Sequence, residues 1–234
     1  MFFLQVVKRT IQIVAIAGVL ALPAWADARV SELGSGAPAV KVSCPLPESD
    51  CNAVTRVTGY QVRSGTVRNP FRVPRDGYIV AFSVRLANVS SRQFDFFSSS
   101  FGGDPRARLA ILRKGTRGRD RRLFRLLRQS RTRNLAPFLG STPTFVFGRP
   151  LRVKRGHIVA LTVPTWAPTF AINLGRTDMW RGSRLKRNNG CANVTRQAAQ
   201  QRVGRRGRKR YECDNFGGRL LYTATYIPDN RRTR

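Results

Sequence analysis

The chain has 234 residues, with 43 Lys and Arg against 12 Asp and Glu and a single His, for a formal net charge of +31. So few carboxylates and one imidazole leave little material for paired-carboxylate hydrolysis or for a His-rich metal centre, and no G-x-S-x-G elbow, H-E-x-x-H pair or Gly-rich phosphate loop is present. Arg outnumbers Lys 37 to 6, which fits either a binder of polyanions or an Arg-rich composition set by a GC-rich genome and spread over a solvated surface.

The N-terminus has the grammar of a secretory signal peptide over residues 1–26. Lys8-Arg9 precedes the apolar run Ile11–Leu22, and Ala24-Trp25-Ala26 is a small-x-small cleavage site. The run is short of the roughly 20 residues a spanning helix needs, although an uncleaved N-terminal anchor is the competing reading. About 208 residues follow, enough for one β-sandwich with a sizeable core. Residues 27–53 read as a loose leader holding the first cysteine pair, and residues 54–234 as the sandwich domain. In an oxidising compartment Cys44, Cys51, Cys191 and Cys213 favour two disulfides. The sequence-local pairing, Cys44–Cys51 with Cys191–Cys213, is preferred over Cys44–Cys213 with Cys51–Cys191. The gaps do not suit zinc knuckles, and no metal or other cofactor is expected.

Val54–Val62 alternates as a first strand. Then comes a unit that the chain uses twice: Asn69–Val84 (NPFRVPRDGYIVAFSV) and Arg149–Trp166 (RPLRVKRGHIVALTVPTW). With Pro70 laid on Pro150 and Gly77 on Gly156, Asp76 is the single insertion, and Arg72, Val73, Arg75, Ile79, Val80, Ala81 and Val84 meet identical residues. Each copy reads as a short strand, a Gly-punctuated turn and a longer apolar strand. The period-2 pattern puts Tyr78, Val80, Phe82, Val84 and Leu86 on one face, matched by His157, Val159, Leu161 and Val163. This bulkier set is expected to be the core face of both copies, the opposite one being semi-polar.

Between the copies, Ser90–Asp104 reads as a Ser/Phe/Gly loop anchored by its phenylalanines, Arg106–Lys114 as a strand, and Arg119–Gln129 as a strand whose leucines alternate with arginines. Beyond the second copy, Pro164 to Pro168 breaks the chain, Phe170–Leu174 resumes as a strand, and Thr177–Arg184 is a loop carrying Trp180. Residues 188–213 form a basic, Gln/Gly-rich loop, and Arg219–Ile227 is the last strand. Short strands spaced by turn signals make the fold all-β: an antiparallel, two-sheet, jelly-roll-like sandwich. With PFRVPRDGYIVAFSVRLA, ARLAILRK, RLFRLLRQS, PLRVKRGHIVALTVPTWAP and RLLYTATYIP in this order, the chain resembles a group of exported β-sandwich proteins of high-GC actinobacteria over roughly residues 55–228. The resemblance implies a fold and a compartment; it brings no catalytic residues.

Candidate binding residues follow from residue type. Trp166 and Trp180 lie after strands, where an aromatic ring either stacks a sugar or caps the core. The cluster Arg205, Arg206, Arg208, Lys209 and Arg210 is a flexible, phosphate-seeking segment or a merely solvated excursion, and Arg117–Arg133 is a second basic cluster. His157 replaces Tyr78 in the repeat and reads as a half-buried ring rather than a general base. Asp95, Asp104, Asp178, Glu212 and Asp214 are the loop carboxylates available to an enzyme or to ion pairs. Together these observations point to a secreted or wall-associated, non-enzymatic binding or structural module for an anionic or carbohydrate polymer of the cell envelope. An extracellular glycan hydrolase using loop carboxylates is the alternative. No sequence-specific nucleic-acid partner is expected, nor a membrane-spanning segment once the signal is removed.

Overall fold

A computed structural model of the chain describes residues 30–44, 51–186, 190–191, 193–204 and 206–229; the expected signal peptide lies outside them. The elements in chain order are β1 (Ser31–Leu33), β2 (Val54–Ser64), β3 (Val67–Arg68), β4 (Gly77–Val84), α1 (Ser91–Phe101), β5 (Arg106–Lys114), β6 (Leu123–Gln129), β7 (Arg133–Asn134), β8 (Thr144–Val153), β9 (Ile158–Ala167), β10 (Phe170–Ala171), β11 (Met179–Gly182), β12 (Arg208–Arg210), β13 (Cys213–Phe216), β14 (Arg219–Leu220) and β15 (Tyr222–Pro228). They form an antiparallel sandwich of two main sheets, with β10 and β14 paired as a separate two-stranded ladder. A four-stranded sheet, β1-β15-β4-β8, faces a nine-stranded one ordered β12-β6-β5-β9-β2-β11-β13, with β3 on β2 and β7 on β5. Among the described residues no helix is long and apolar enough to cross a membrane.

The two repeat copies lie in opposite sheets and exchange arms. The short arm of the first copy, Phe71–Val73, pairs with the long strand of the second: Val73 N donates to His157 O at 2.9 Å and Val159 N to Phe71 O at 3.0 Å. The short arm of the second copy, the end of β8, pairs with the long strand of the first, Gly77↔Val153 and Ile79↔Leu151. The two turns touch where Asp76, the residue inserted in copy one, accepts the backbone N–H of Arg155 through Oδ1 at 2.8 Å. An Asp carboxylate capping a turn N–H is ordinary turn chemistry, here reaching across to the other copy.

The main core lies between the sheets. Phe82, Val84, Leu86, Val159, Leu161 and Val163 are all buried there, as the alternation predicts. Tyr78 and Val80 are the exceptions, both only half-buried, because β4 carries a bulge at Val80: Thr225 pairs with Ala81 but Tyr226 pairs with Ile79. The extra residue inverts the phase of the strand. Before it Gly77 and Ile79 face inward; after it Phe82 and Val84 do.

Several local expectations are corrected. Ser90–Asp104 is largely the helix α1, not a loop. Ser90 and Gln93 form a reciprocal capping box, Gly102 ends the helix in the left-handed region at φ 91°, and Phe97 and Phe101 bury one face. The leader is not loose throughout: β1 adds an edge strand to β15, Ser31↔Tyr226 through Leu33↔Ala224. Gly34 follows it because a Cβ there would sit 2.3 Å from Phe71 Cζ, on a backbone of φ +93°. Pro164 does not end its strand. β9 continues to Ala167 opposite a register shift between Thr55 and Val57, where the missing N–H is tolerated. The strand expected over Phe170–Leu174 is only β10, and the final strand breaks at Leu221 into β14 and β15.

The outer face of the nine-stranded sheet, expected to be semi-polar, is largely covered. Ile158 and Ala160 of β9 pack there with Tyr60, Leu112, Phe124, Leu126 and Tyr211 in a second apolar cluster. The cover is the basic excursion itself, which is a strap rather than a free loop. Both disulfides form as expected, Cys44–Cys51 with Cα atoms 4.6 Å apart and Cys191–Cys213 at 5.5 Å, and the second fastens the strap to β13. Gln200 locks the middle. Its Nε2 donates to Phe124 O and Gly207 O, its Oε1 accepts from Tyr211 OH at 2.7 Å, and its N–H donates to Thr58 Oγ1 at 2.8 Å. Buried polar groups need such partners, and each of these has one.

Candidate cationic cleft

Where the strap stops covering the sheet, a cleft of about 1030 Å³ opens at one end of the outer face. Its floor is Tyr60, Val62, Leu123 and Ile158, side chains from β2, β6 and β9 that alternate outward from the inter-sheet core. Its walls are basic. Arg72 comes from the first repeat arm, Arg113 and Lys114 from the end of β5, Arg117 and Arg121 from the turn after it, Arg125 from β6, Lys154 and Arg155 from the second repeat's turn, Arg181 from β11 and Arg208 from β12. Asp120 is the one carboxylate among the lining residues.

Counter-charge is present for only part of this array. Asp214 on β13 accepts two hydrogen bonds from Arg181, at 2.5 and 3.1 Å, and one from Arg122 at 2.9 Å. Burial alone would raise the Asp214 carboxyl, but the Arg181 hydrogen bonds and the charges of Arg181 and Arg122 hold it below the usual carboxylate value. Burial works against the Arg181 guanidinium as well, and Asp214 and Tyr60 together more than offset it. Fork-to-fork pairing of this kind fixes a guanidinium in place. Among the described residues Arg72, Arg113, Lys114, Arg121, Arg125 and Arg208 have no carboxylate within ion-pair distance. The strain of that arrangement shows at Lys114, whose ammonium is pulled below its ordinary value by partial desolvation and then by Arg181, Arg121, Arg72 and Arg122. Burial pushes the Tyr60 phenol on the floor up to about 12, so it stays protonated.

His157 sits at the rim, 7% exposed. Its Nδ1 accepts the Lys154 N–H at 3.1 Å, which places the ring proton on Nε2. Burial, then Arg113 and Arg128, pull its pKa below the ordinary value, so the ring is neutral at neutral pH. It is a turn-capping acceptor in an electropositive wall.

The residues singled out in the sequence are dispersed. Trp166 is fully buried, stacked on Phe97 at 5.0 Å with its Nε1 donating to Gly103 O at 2.9 Å. Trp180 is 6% exposed and meets Phe170 edge-on at 5.9 Å. Neither ring offers a face to a ligand; both seal ends of the core, because an indole loses more by exposure than a loop gains by displaying it. In the basic run, Arg205 lies outside the described residues. Arg208 lines the cleft, Arg206 lines a smaller hollow shared with Arg208 and Lys209, and Lys209 also lines a third hollow with Arg184. Arg210 is drawn to Glu212, 3.9 Å away. From the other basic cluster Arg117, Arg121 and Arg125 reach the cleft.

The remaining cleft cations were not singled out by sequence, because Arg72, Arg113, Lys154 and Arg181 are far apart in the chain and meet only through strand order. One signal was available, since both repeat arms place basic residues at their turns (RVPRD and RVKRG). The loop carboxylates do not assemble. Asp178 pairs with Arg219 at 2.6 Å, Asp214 serves the arginines, and Asp104 accepts from Asn134 at 3.1 Å. No group of three or more His, Cys, Asp or Glu that could hold a metal occurs among the described residues. Set against family models, curated proteins and solved structures, the chain matches none of them.

Proposed function

We propose that this protein is an exported, non-enzymatic module that holds a linear anionic polymer of the cell envelope in the cationic cleft. One observation carries the reading: six cations with no carboxylate partner among the described residues converge on a single concavity from β5, β6, β12, a repeat arm and a turn. Charge scattered by composition alone would not bring so many cations to one hollow with a single carboxylate, Asp120, among its lining residues. A cleft with low-dielectric walls focuses such a field and raises the local concentration of anions. Two disulfides and the signal-like N-terminus support an oxidising, extracytoplasmic address, in keeping with the resemblance to exported actinobacterial sandwiches. The hydrolase alternative draws no support from the cleft, where Asp120 has no second carboxylate facing it among the lining residues.

The test is binding of a labelled polyphosphate and of a polyuronate by anisotropy at two salt concentrations. Replacing Arg113, Lys114 and Arg121 together by Ser is expected to flatten the log K against log salt slope by about two to three units. The same number of substitutions at Arg85, Arg92 and Arg131, which lie outside the cleft, should change it by less than about one. Equal loss from both sets would sink the proposal and return the charge to the surface as a whole.

A further inference from the structure

A second cationic hollow lies on the far side of β12. It measures about 570 Å³, between the strap and the sheet, and is lined by Ser183, Arg184, Asn193, Arg196, Gln197 and Lys209 among others. That size falls within the range of about 300–1000 Å³ typical of small-molecule sites. The two hollows share no lining residue, and β12 contributes Arg208 to the cleft and Lys209 to this hollow.

Its cations are unusual in their company. Arg184 spends Nη2 on the backbone carbonyl of Thr55 at 2.5 Å and on Thr55 Oγ1 at 3.3 Å. Its Nε is sealed from solvent and has no acceptor. Burial draws the guanidinium down to about 10, so it remains charged at neutral pH. Lys209 is half-buried beside it, its ammonium lowered by desolvation and then by the charge of Arg184. Two like charges side by side in a low-dielectric pocket are costly unless an anion joins them. The nearby carboxylate is committed elsewhere, since Glu212 accepts the Lys186 N–H at 3.1 Å and lies 3.9 Å from Arg210. Among the described residues neither Arg184 nor Lys209 has an ion-pair partner.

We infer that this hollow is a binding site for a small phosphomonoester, its phosphoryl group held between Arg184 and Lys209 with Arg196 at the rim. A guanidinium and an ammonium on one hollow, neither with an ion-pair partner among the described residues, suit a tetrahedral oxyanion. The volume beyond the anion, walled in part by Leu185 and Ala198, accommodates the organic part. The site is independent of the polymer cleft and does not rest on that reading.

The test is calorimetry with glycerol 2-phosphate on the full disulfide-bonded protein at constant ionic strength. One equivalent is expected to bind, about tenfold more weakly in Lys209→Gln. Arg196→Gln, on the exposed rim and outside any strand, should weaken binding also and leaves the sheet untouched. The Arg113, Lys114 and Arg121 triple-Ser variant should bind the ester normally, whatever it does to polymer. Inorganic phosphate should compete, less tightly than the ester. Unchanged affinity in Lys209→Gln and Arg196→Gln, loss in the cleft variant instead, absence of saturable binding, or an ester no tighter than phosphate would each overturn the assignment.

Discussion

The two faces of β9 make opposite use of one strand. Inward, Val159, Leu161 and Val163 meet other aliphatic and aromatic side chains, and shape alone decides the packing. Outward, Ile158 reaches the cleft floor, while Ala160 and Thr162 lie under a strap held by hydrogen bonds: the Thr162 and Thr58 hydroxyls bond at 2.9 Å, the Gln200 N–H donates to Thr58 Oγ1, and the Tyr211 OH donates to Gln200 Oε1. The inner face gains from area and tolerates no cavity; the outer face gains from polar satisfaction and tolerates no missing donor. Only the second arrangement can leave part of the sheet open without exposing a large apolar patch. The cleft sits where the outer cover ends. A nonspecific core holds the fold, and a specific polar clamp sets where the binding surface begins.

Three measurements can break that contrast or sharpen it. Leu161→Ala removes a fully enclosed inner side chain and should cost about 2–5 kcal/mol, read as a lower urea midpoint with unchanged slope. A loss under about 1 kcal/mol would mean that the inner face repacks freely. Tyr211→Phe keeps the ring packed at a tilt against Phe124, centroids 4.5 Å apart, but removes the donor to Gln200 Oε1. We expect a loss of about 1–2 kcal/mol, with faster hydrogen exchange confined to residues 193–211. A global change in exchange would show that clamp and core are one unit.

The smallest effect is at His157. Its native pKa lies below the ordinary 6.5, so the unfolded chain binds the proton more readily. Its contribution is fully present above about pH 6.5 and declines as pH falls from there toward the depressed native value. His157→Asn keeps an acceptor for the Lys154 N–H and should flatten the stability profile between pH 7.5 and 5.5. A variant whose profile matches that of the wild type would assign the pH dependence to other groups.

Much of the sandwich was legible in the sequence because it rests on local alternation. Arg106–Lys114 is β5 to the residue, and the core positions Phe82, Val84, Leu161 and Val163 follow from period two. What escaped were places where one residue changes the phase or a cap outweighs composition. Val80 is a bulge set by its partner β15, which alternation within β4 cannot reveal. The α1 segment was read by its Ser and Gly content, although Ser90-x-x-Gln93 is a capping box and Phe94, Phe97 and Phe101 share a helical face. The strap hid its role for a different reason: Gln200 and Tyr211 carry no periodicity, and their value comes from bonding each other while Gln200 reaches the Phe124 carbonyl, 76 residues away in the chain. The cleft was half visible, through Arg121, Arg125 and Arg208, and half dependent on strand order.

The exchange of arms between the repeat copies has a consequence for how the chain reaches this state. Phe71–Val73 cannot complete its hydrogen bonds until His157–Val159 exists, and Leu151–Val153 cannot until Gly77–Ile79 is in place. Neither copy is therefore an autonomous folding unit, despite being a self-contained unit of sequence. The pairings that define the sandwich span about eighty residues, so loop closure comes before any return in contacts, and folding is slow and concerted. A duplication whose halves had stayed self-paired would have built two domains in tandem. By trading arms, these halves became a single domain, and the turns brought together at Asp76 and Arg155 lie at the edge of the cleft that neither copy could have formed alone.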